Sequence, residues 1–152
     1  MMNNLNILIF IRMLIGGIYI FSGVEKLLSP VENFIFAIQS YDIVHHSTLI
    51  KMVATGFPWL ELILGVFLCL GLWLRVTLVG IGTCSLIFIG VLGQAIIRRL
   101  AVTDCGCFGS LLSVPLPVTL ILDIIILILA SLLLIKIKKT AILGLDHYFS
   151  KN

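Results

Sequence analysis

The stretch Pro115–Ile135, PLPVTLILDIIILILASLLLI, is an apolar run carrying a single charge at Asp123, and its reading decides the fold. A helix needs about 17 to 25 mostly apolar residues to cross the hydrocarbon core of a bilayer, and this run supplies them. Three further stretches do the same, from Ile7 to Leu28, Phe57 to Leu74 and Val76 to Ile97. The whole chain agrees: 61% of its residues are hydrophobic and 11% charged, with a mean hydropathy of +1.24. An ordinary soluble domain has about a quarter of its residues charged, so that class is excluded. The expectation is an all-α integral membrane protein, a four-helix bundle forming one domain over residues 1–152, with a short interfacial helix between the first two spans.

The first stretch is distinguished from a signal peptide by its length, by Arg12 and Glu25 within it, and by the lack of a basic leader segment. An even number of crossings puts both ends of the chain on one side. Lys136, Lys138, Lys139 and Lys151 in the tail, with Arg75 between the second and third spans, outweigh Lys26, Lys51, Arg98 and Arg99 on the other face. Basic residues mark the cytoplasmic side. The expected placement is a multi-pass protein of the inner (cytoplasmic) membrane with cytoplasmic termini. The net charge of +3 comes from these flanking residues and gives no sign of a nucleic-acid partner.

The longest polar connection runs from Ser29 to about Gly56. Within it Val31, Phe34, Ile35 and Ile38 recur at helical spacing, which predicts a short amphipathic helix lying in the interface and roofing the bundle. Pro30 and Pro58 are expected at span boundaries, because proline disfavours helical geometry in the residue before it. The tail after Lys139 reads as an interfacial anchor.

Helices in lipid associate through small residues and polar contacts. At about 100° per residue, Arg12, Gly16, Tyr19, Gly23 and Lys26 share one face of the first span. A similar stripe on the third span joins Gly80, Cys84, Ile87, Val91, Gln94 and Arg98; Glu61 and Gly65 stand on the second, and Thr119, Asp123 and Ala130 on the fourth. Ionisable groups inside a membrane are costly and need partners. Glu25, Lys26, Glu61, Gln94, Arg98 and Arg99 are expected near one level, with Asp123 roughly a dozen ångströms deeper at 1.5 Å per residue. Two readings stand side by side: interhelical pairs that fix the bundle, or a polar pocket that holds a small redox partner or relays protons.

Between the third and fourth spans lies Cys105-Gly106-Cys107-Phe108-Gly109. Thiols separated by one residue close only a very small ring, for which glycine is the tolerant spacer, and strained exposed disulfides are easily reduced. On the expected topology this loop is extracytoplasmic, where disulfides persist. Redox exchange by Cys105 and Cys107 is the leading reading. Two soft thiolates also bind Cu(I) or Zn(II), but a full zinc site needs more ligands than His45 and His46 offer on that side, so no metal ligand is assigned. Cys69 and Cys84, inside the second and third spans, read as packing residues.

Arg12, Ser22-Gly23, Glu25-Lys26-Leu27, Pro30, Phe34, Tyr41, Pro58, Glu61-Leu62, the Cys105–Gly109 loop and Asp123 together resemble the MauE branch of the DoxX-like membrane proteins, over nearly the whole chain. The resemblance implies a small four-helix protein with a redox role. It also implies a thioredoxin-like partner and a place in methylamine utilisation, where MauE is associated with making the disulfide-rich small subunit of methylamine dehydrogenase. The outline is similar to that of four-helix, quinone-coupled disulfide enzymes, an analogy of architecture.

The function expected is that of a membrane thiol–disulfide oxidoreductase. Cys105 and Cys107 exchange electrons with an external thioredoxin-like protein, and a quinone or other small carrier is held by Glu61, Arg98 and Asp123, with Lys26, Gln94 and Arg12 in support. The alternative is a non-catalytic anchor or assembly subunit of a redox complex, or a metal-handling protein; association into homo-oligomers is left open.

Overall fold

The structure, a computed structural model, describes residues 2–41, 46–98 and 115–137. These residues form α1 (Met2–Leu28), α2 (Val31–Ser40), α3 (Ser47–Leu70), α4 (Leu74–Ile97) and α5 (Leu116–Ile135). All but α2 are long and apolar enough to cross a membrane, which makes this an all-helical, multi-pass membrane protein in a lipid bilayer. Cys105 and Cys107 lie outside the described residues, as do Arg99, His45 and the tail beyond Ile137.

Side-chain facings give the topology. Gly16 lies against Gly65 and Cys69, and Gly23 against Pro58 and Leu62, so α1 and α3 are antiparallel. Phe57 meets Phe88 and Leu64 meets Gly80, which sets α4 antiparallel to α3. Leu127 approaches Gly82, and Ala95 packs with Leu116, so α5 runs back along α4. The four long helices therefore alternate in direction, packing most closely as the pairs α1/α3 and α4/α5. Arg98 and Pro115, which flank residues 99–114, sit at the bundle end where α1 finishes and α2 lies.

Glycine makes the α1/α3 contact a backbone-to-backbone one. A Cβ on Gly23 would stand 2.9 Å from both the Leu62 amide nitrogen and the Pro58 carbonyl oxygen. Close approach of this kind replaces the hydrophobic effect, which offers little between helices already in lipid. Phe10, Trp59, Val76, Ile97 and Ile135 accordingly face outward.

Two cores fill the interior. One joins Ile15, Leu68, Leu78, Ile81, Cys84, Ile126 and Leu133; the other joins Tyr41, Leu92, Ala95 and Leu116 beneath α2. The expected α1 face of Arg12, Gly16, Tyr19, Gly23 and Lys26 is buried throughout, as are Glu61 and Gly65 on α3 and Thr119, Asp123 and Ala130 on α5.

Three expectations are corrected. First, α3 begins at Ser47, ten residues before Phe57, and Pro58 lies inside it. Proline removes one backbone hydrogen bond, a loss that membrane helices tolerate where neighbours pack closely, and Pro58 is buried against Gly23. Second, the reversal between α3 and α4 falls at Gly71–Trp73 instead of at Arg75. Gly71 (φ 71°) and Trp73 (φ 44°) are both left-handed. The Leu72 amide donates to the Phe67 carbonyl at 2.9 Å, the long bond of a Schellman cap, and Thr77 Oγ1 donates to the Leu72 carbonyl at 3.1 Å. Third, the inward face of α4 is Thr77, Leu78, Ile81, Cys84, Ser85, Leu92 and Ala95, whereas Ile87 is 55% exposed. The helix is apolar on every side, so hydropathy could not mark the inward one.

Candidate functional site

Lys26 and Glu61 meet in the interior. Both are buried, and Lys26 Nζ donates to Glu61 Oε1 at 2.9 Å and to Oε2 at 2.7 Å. Ser22 lies one helical turn before Lys26, on the same face of α1. Its Oγ accepts from Lys26 Nζ at 2.8 Å and donates to Glu61 Oε2 at 3.2 Å. The ammonium thus spends its three protons on Ser22 and Glu61.

Aromatic rings cover this pair. Lys26 Nζ is 5.6 Å from the Phe34 ring centroid and 5.9 Å from that of Phe88, within cation–π range. Phe88 is held edge-on by Phe57, with centroids 5.3 Å apart. Phe34 belongs to α2, so the amphipathic helix does roof the ion pair. Next to Lys26 in sequence, the buried Glu25 carboxylate turns to Ser29, whose Oγ donates to Oε1 at 3.0 Å.

Below the pair, Tyr19 joins α1 to α4: its hydroxyl donates to the Ile81 carbonyl at 3.3 Å and lies 3.3 Å from Ser85 Oγ. Tyr19, Ser22, Glu61, Thr119 and Asp123 border one cavity of ≈ 30 Å³. A water needs roughly 10–15 Å³, so the cavity has room for one. Hydroxyls and carboxyls from α1, α3 and α5 share the border of this space with the apolar side chains of Ile18, Phe88, Leu122 and Ile126.

The expected site residues separate accordingly. Lys26 and Glu61 bond directly, and Asp123 shares their cavity wall. Gln94 is half-buried and Arg98 exposed at the end of α4. Arg12 is 2% exposed, yet it precedes Lys26 by about 21 Å along α1 at 1.5 Å per residue. It stands one helical turn before Gly16, which packs against Cys69. Cys69 and Cys84 are free thiols, half-buried and buried respectively. Among the described residues no group of three or more His, Cys, Asp or Glu side chains is placed to hold a metal ion. Ser85 and Phe88 went unremarked in the sequence. Ser85 is a lone hydroxyl in an apolar run, the kind of residue that bonds across helices in lipid.

The fold and site define a small multi-pass helical membrane protein with an ion pair buried between its spans. The chain belongs to the MauE family: the family model described as methylamine utilisation protein MauE matches residues 4–136. Membership points to a membrane protein of methylamine utilisation. No curated protein and no solved structure matches the chain.

Proposed function

We propose that this MauE-family protein is a membrane thiol–disulfide oxidoreductase whose reactive groups are Cys105 and Cys107. The observation that carries the reading is the position of the C-G-C motif in the chain. It falls in residues 99–114, whose flanking residues Arg98 and Pro115 stand at the bundle end that contains Lys26, Glu61 and the roof formed by α2. The excess of basic residues at the other end of the bundle supports an extracytoplasmic location for this end, and the DoxX-like resemblance and the C-G-C chemistry support a thioredoxin-like partner there.

In the oxidising direction, a partner thiolate attacks the Cys105–Cys107 disulfide and forms a mixed disulfide, releasing one thiolate of the pair. The second partner thiol resolves it, leaving the partner oxidised and Cys105 and Cys107 as thiols. Reoxidation of the pair removes two electrons and two protons, which a quinone accepts to become a quinol. Glu61 and Asp123, on the shared cavity, handle protons in that second half-reaction. On this reading the final substrate is a disulfide-bearing protein, and the methylamine-utilisation description of the family supports that process as its setting.

The test is exchange between the purified protein in nanodiscs and a thioredoxin-like dithiol, followed by mixed-disulfide trapping. A Cys105→Ser or Cys107→Ser variant is expected to lose turnover, and one of the two to accumulate the mixed disulfide. Full turnover in either variant refutes the proposal and leaves the anchor or assembly role.

A further inference from the structure

Each of the four long helices is fixed by several buried side chains, whereas α2 has none of its own. A helix of ten residues is also too short to persist by itself in water. Glu32, Asn33, Gln39 and Ser40 on α2 are exposed, and the helix packs chiefly on α3, with little against α1. Two aromatic side chains hold it down. The Phe34 ring lies over the Lys26 ammonium at 5.6 Å. Tyr41, the residue that caps the C-terminus of α2, is buried and joins Leu92 and Ala95 of α4 and Leu116 of α5 in one cluster. By packing, α2 thus belongs to α1 and α3, but its last side chain fastens it to α4 and α5.

The other end of α2 is a joint. α1 closes with the Ser29 amide donating to the Glu25 carbonyl at 2.9 Å, and Pro30, extended at ψ 130°, starts α2 without a side-chain cap. Proline keeps the residue before it out of helical geometry, so α1 and α2 stay separate helices that turn about this point. Toward the middle of the membrane the Lys26–Glu61 pair is closed off by the core of Ile15, Leu68, Leu78 and Ile81. On the opposite side its cover is Phe34. We propose that α2 is a hinged lid, pivoting at Ser29–Pro30 and latched by Tyr41, and that release of the latch opens the Lys26–Glu61 pair to water from this end of the bundle alone. Elements with few buried contacts are the ones that open locally while the rest of a fold stays closed. The latch cluster is built on the ends of α4 and α5 that flank residues 99–114. Drawing those ends apart releases Tyr41, whatever chemistry Cys105 and Cys107 perform.

The experiment is acetylation of the full chain in phosphatidylcholine nanodiscs by the membrane-impermeant reagent sulfosuccinimidyl acetate. The rate at Lys26 is read by mass spectrometry against that of the exposed Lys51. In the wild type Lys26 is expected to react far more slowly than Lys51. Tyr41→Ala is expected to speed Lys26 on the order of tenfold, a shift of about 1.4 kcal/mol in the closing equilibrium, and to leave Lys51 unchanged. That effect acts at a distance, since the α2 ring over Lys26 is Phe34. Cys84, buried in the other core, reports loosening of the whole bundle and is expected to keep its wild-type rate toward a maleimide. Tyr41→Leu, which keeps an apolar plug, is expected to fall between wild type and Tyr41→Ala, and it carries the test if the alanine variant does not fold. Hydrogen exchange needs no variant: in the wild type the α2 amides are expected to exchange together and faster than those around Gly65 in α3. A Lys26 rate unchanged by either substitution, an equal rise at Cys84, or α2 amides as slow as those around Gly65 would each overturn the lid.

Discussion

Lys26 Nζ lies 2.7 Å from Glu61 Oε2, with the two side chains 1% and 5% exposed, and this contact ties the end of α1 to the middle of α3. Burying two charges is expensive even when they pair, and removing one partner strands the other. Lys26→Met is therefore expected to destabilise the bundle by about 3–5 kcal/mol, and Glu61→Leu by a similar amount, while the double variant recovers most of the loss. A double-mutant cycle in detergent unfolding measures the coupling, and additive losses would refute it.

Gly23 and Gly17 make opposite predictions although both are glycines of α1. A methyl at position 23 meets the backbone of Pro58 and Leu62 at 2.9 Å, and backbone cannot yield without separating the helices. Gly23→Ala is expected to cost about 1–3 kcal/mol through overpacking. Gly17→Ala, into open space, is expected to be neutral or to stabilise α1 by up to about 1 kcal/mol. Thermal melts of the two variants side by side check the contrast.

Tyr19→Phe removes the hydroxyl that reaches Ile81 and Ser85 across the α1/α4 contact. A loss of about 0.5–1.5 kcal/mol is expected, the net worth of an ordinary hydrogen bond. An unchanged melting curve would mean that this contact adds nothing to the bundle.

The thiols within the spans and those of the C-G-C motif are expected to behave differently. Cys69→Ala and Cys84→Ala preserve exchange with the partner, because each side chain serves packing between spans. In intact cells a membrane-impermeant thiol reagent is expected to modify Cys105 and Cys107 only after reduction. Constant labelling that added copper or zinc blocks would turn the case to metal handling, and no labelling in either state would contradict the extracytoplasmic placement.

Much of the arrangement was legible in the sequence where polar or small residues broke an apolar background. Arg12, Gly16, Tyr19, Gly23 and Lys26 marked the buried face of α1 because each stands out from leucine and isoleucine at a helical interval. Asp123 and Glu61 marked α5 and α3 in the same way. On α4 the signal failed, since lipid and protein interior favour the same side chains and only Ser85, Cys84 and Thr77 distinguish the inward face. Gln94 and Arg98 are polar residues near the end of a span, where the interface accommodates such side chains. Pro58 misled for a different reason. Its missing amide argues for a boundary in water, but here the ring is packed inside α3 against Gly23, and the helix starts well upstream. The cavity itself had no sequence signature, because it depends on how four helices converge.

The short reversal at Gly71–Trp73 bears on how the protein is made. With only these residues between Leu70 and Leu74, α3 and α4 cannot enter the bilayer one at a time without leaving the second helix stranded at the surface. They form a helical hairpin with Glu61 on its first arm. Its counter-ion Lys26 is synthesised earlier, at the far end of α1, where a lysine can wait among the lipid headgroups. The carboxylate and its ammonium thus belong to separate units of the chain, the α3/α4 hairpin and α1, and their contact joins the two.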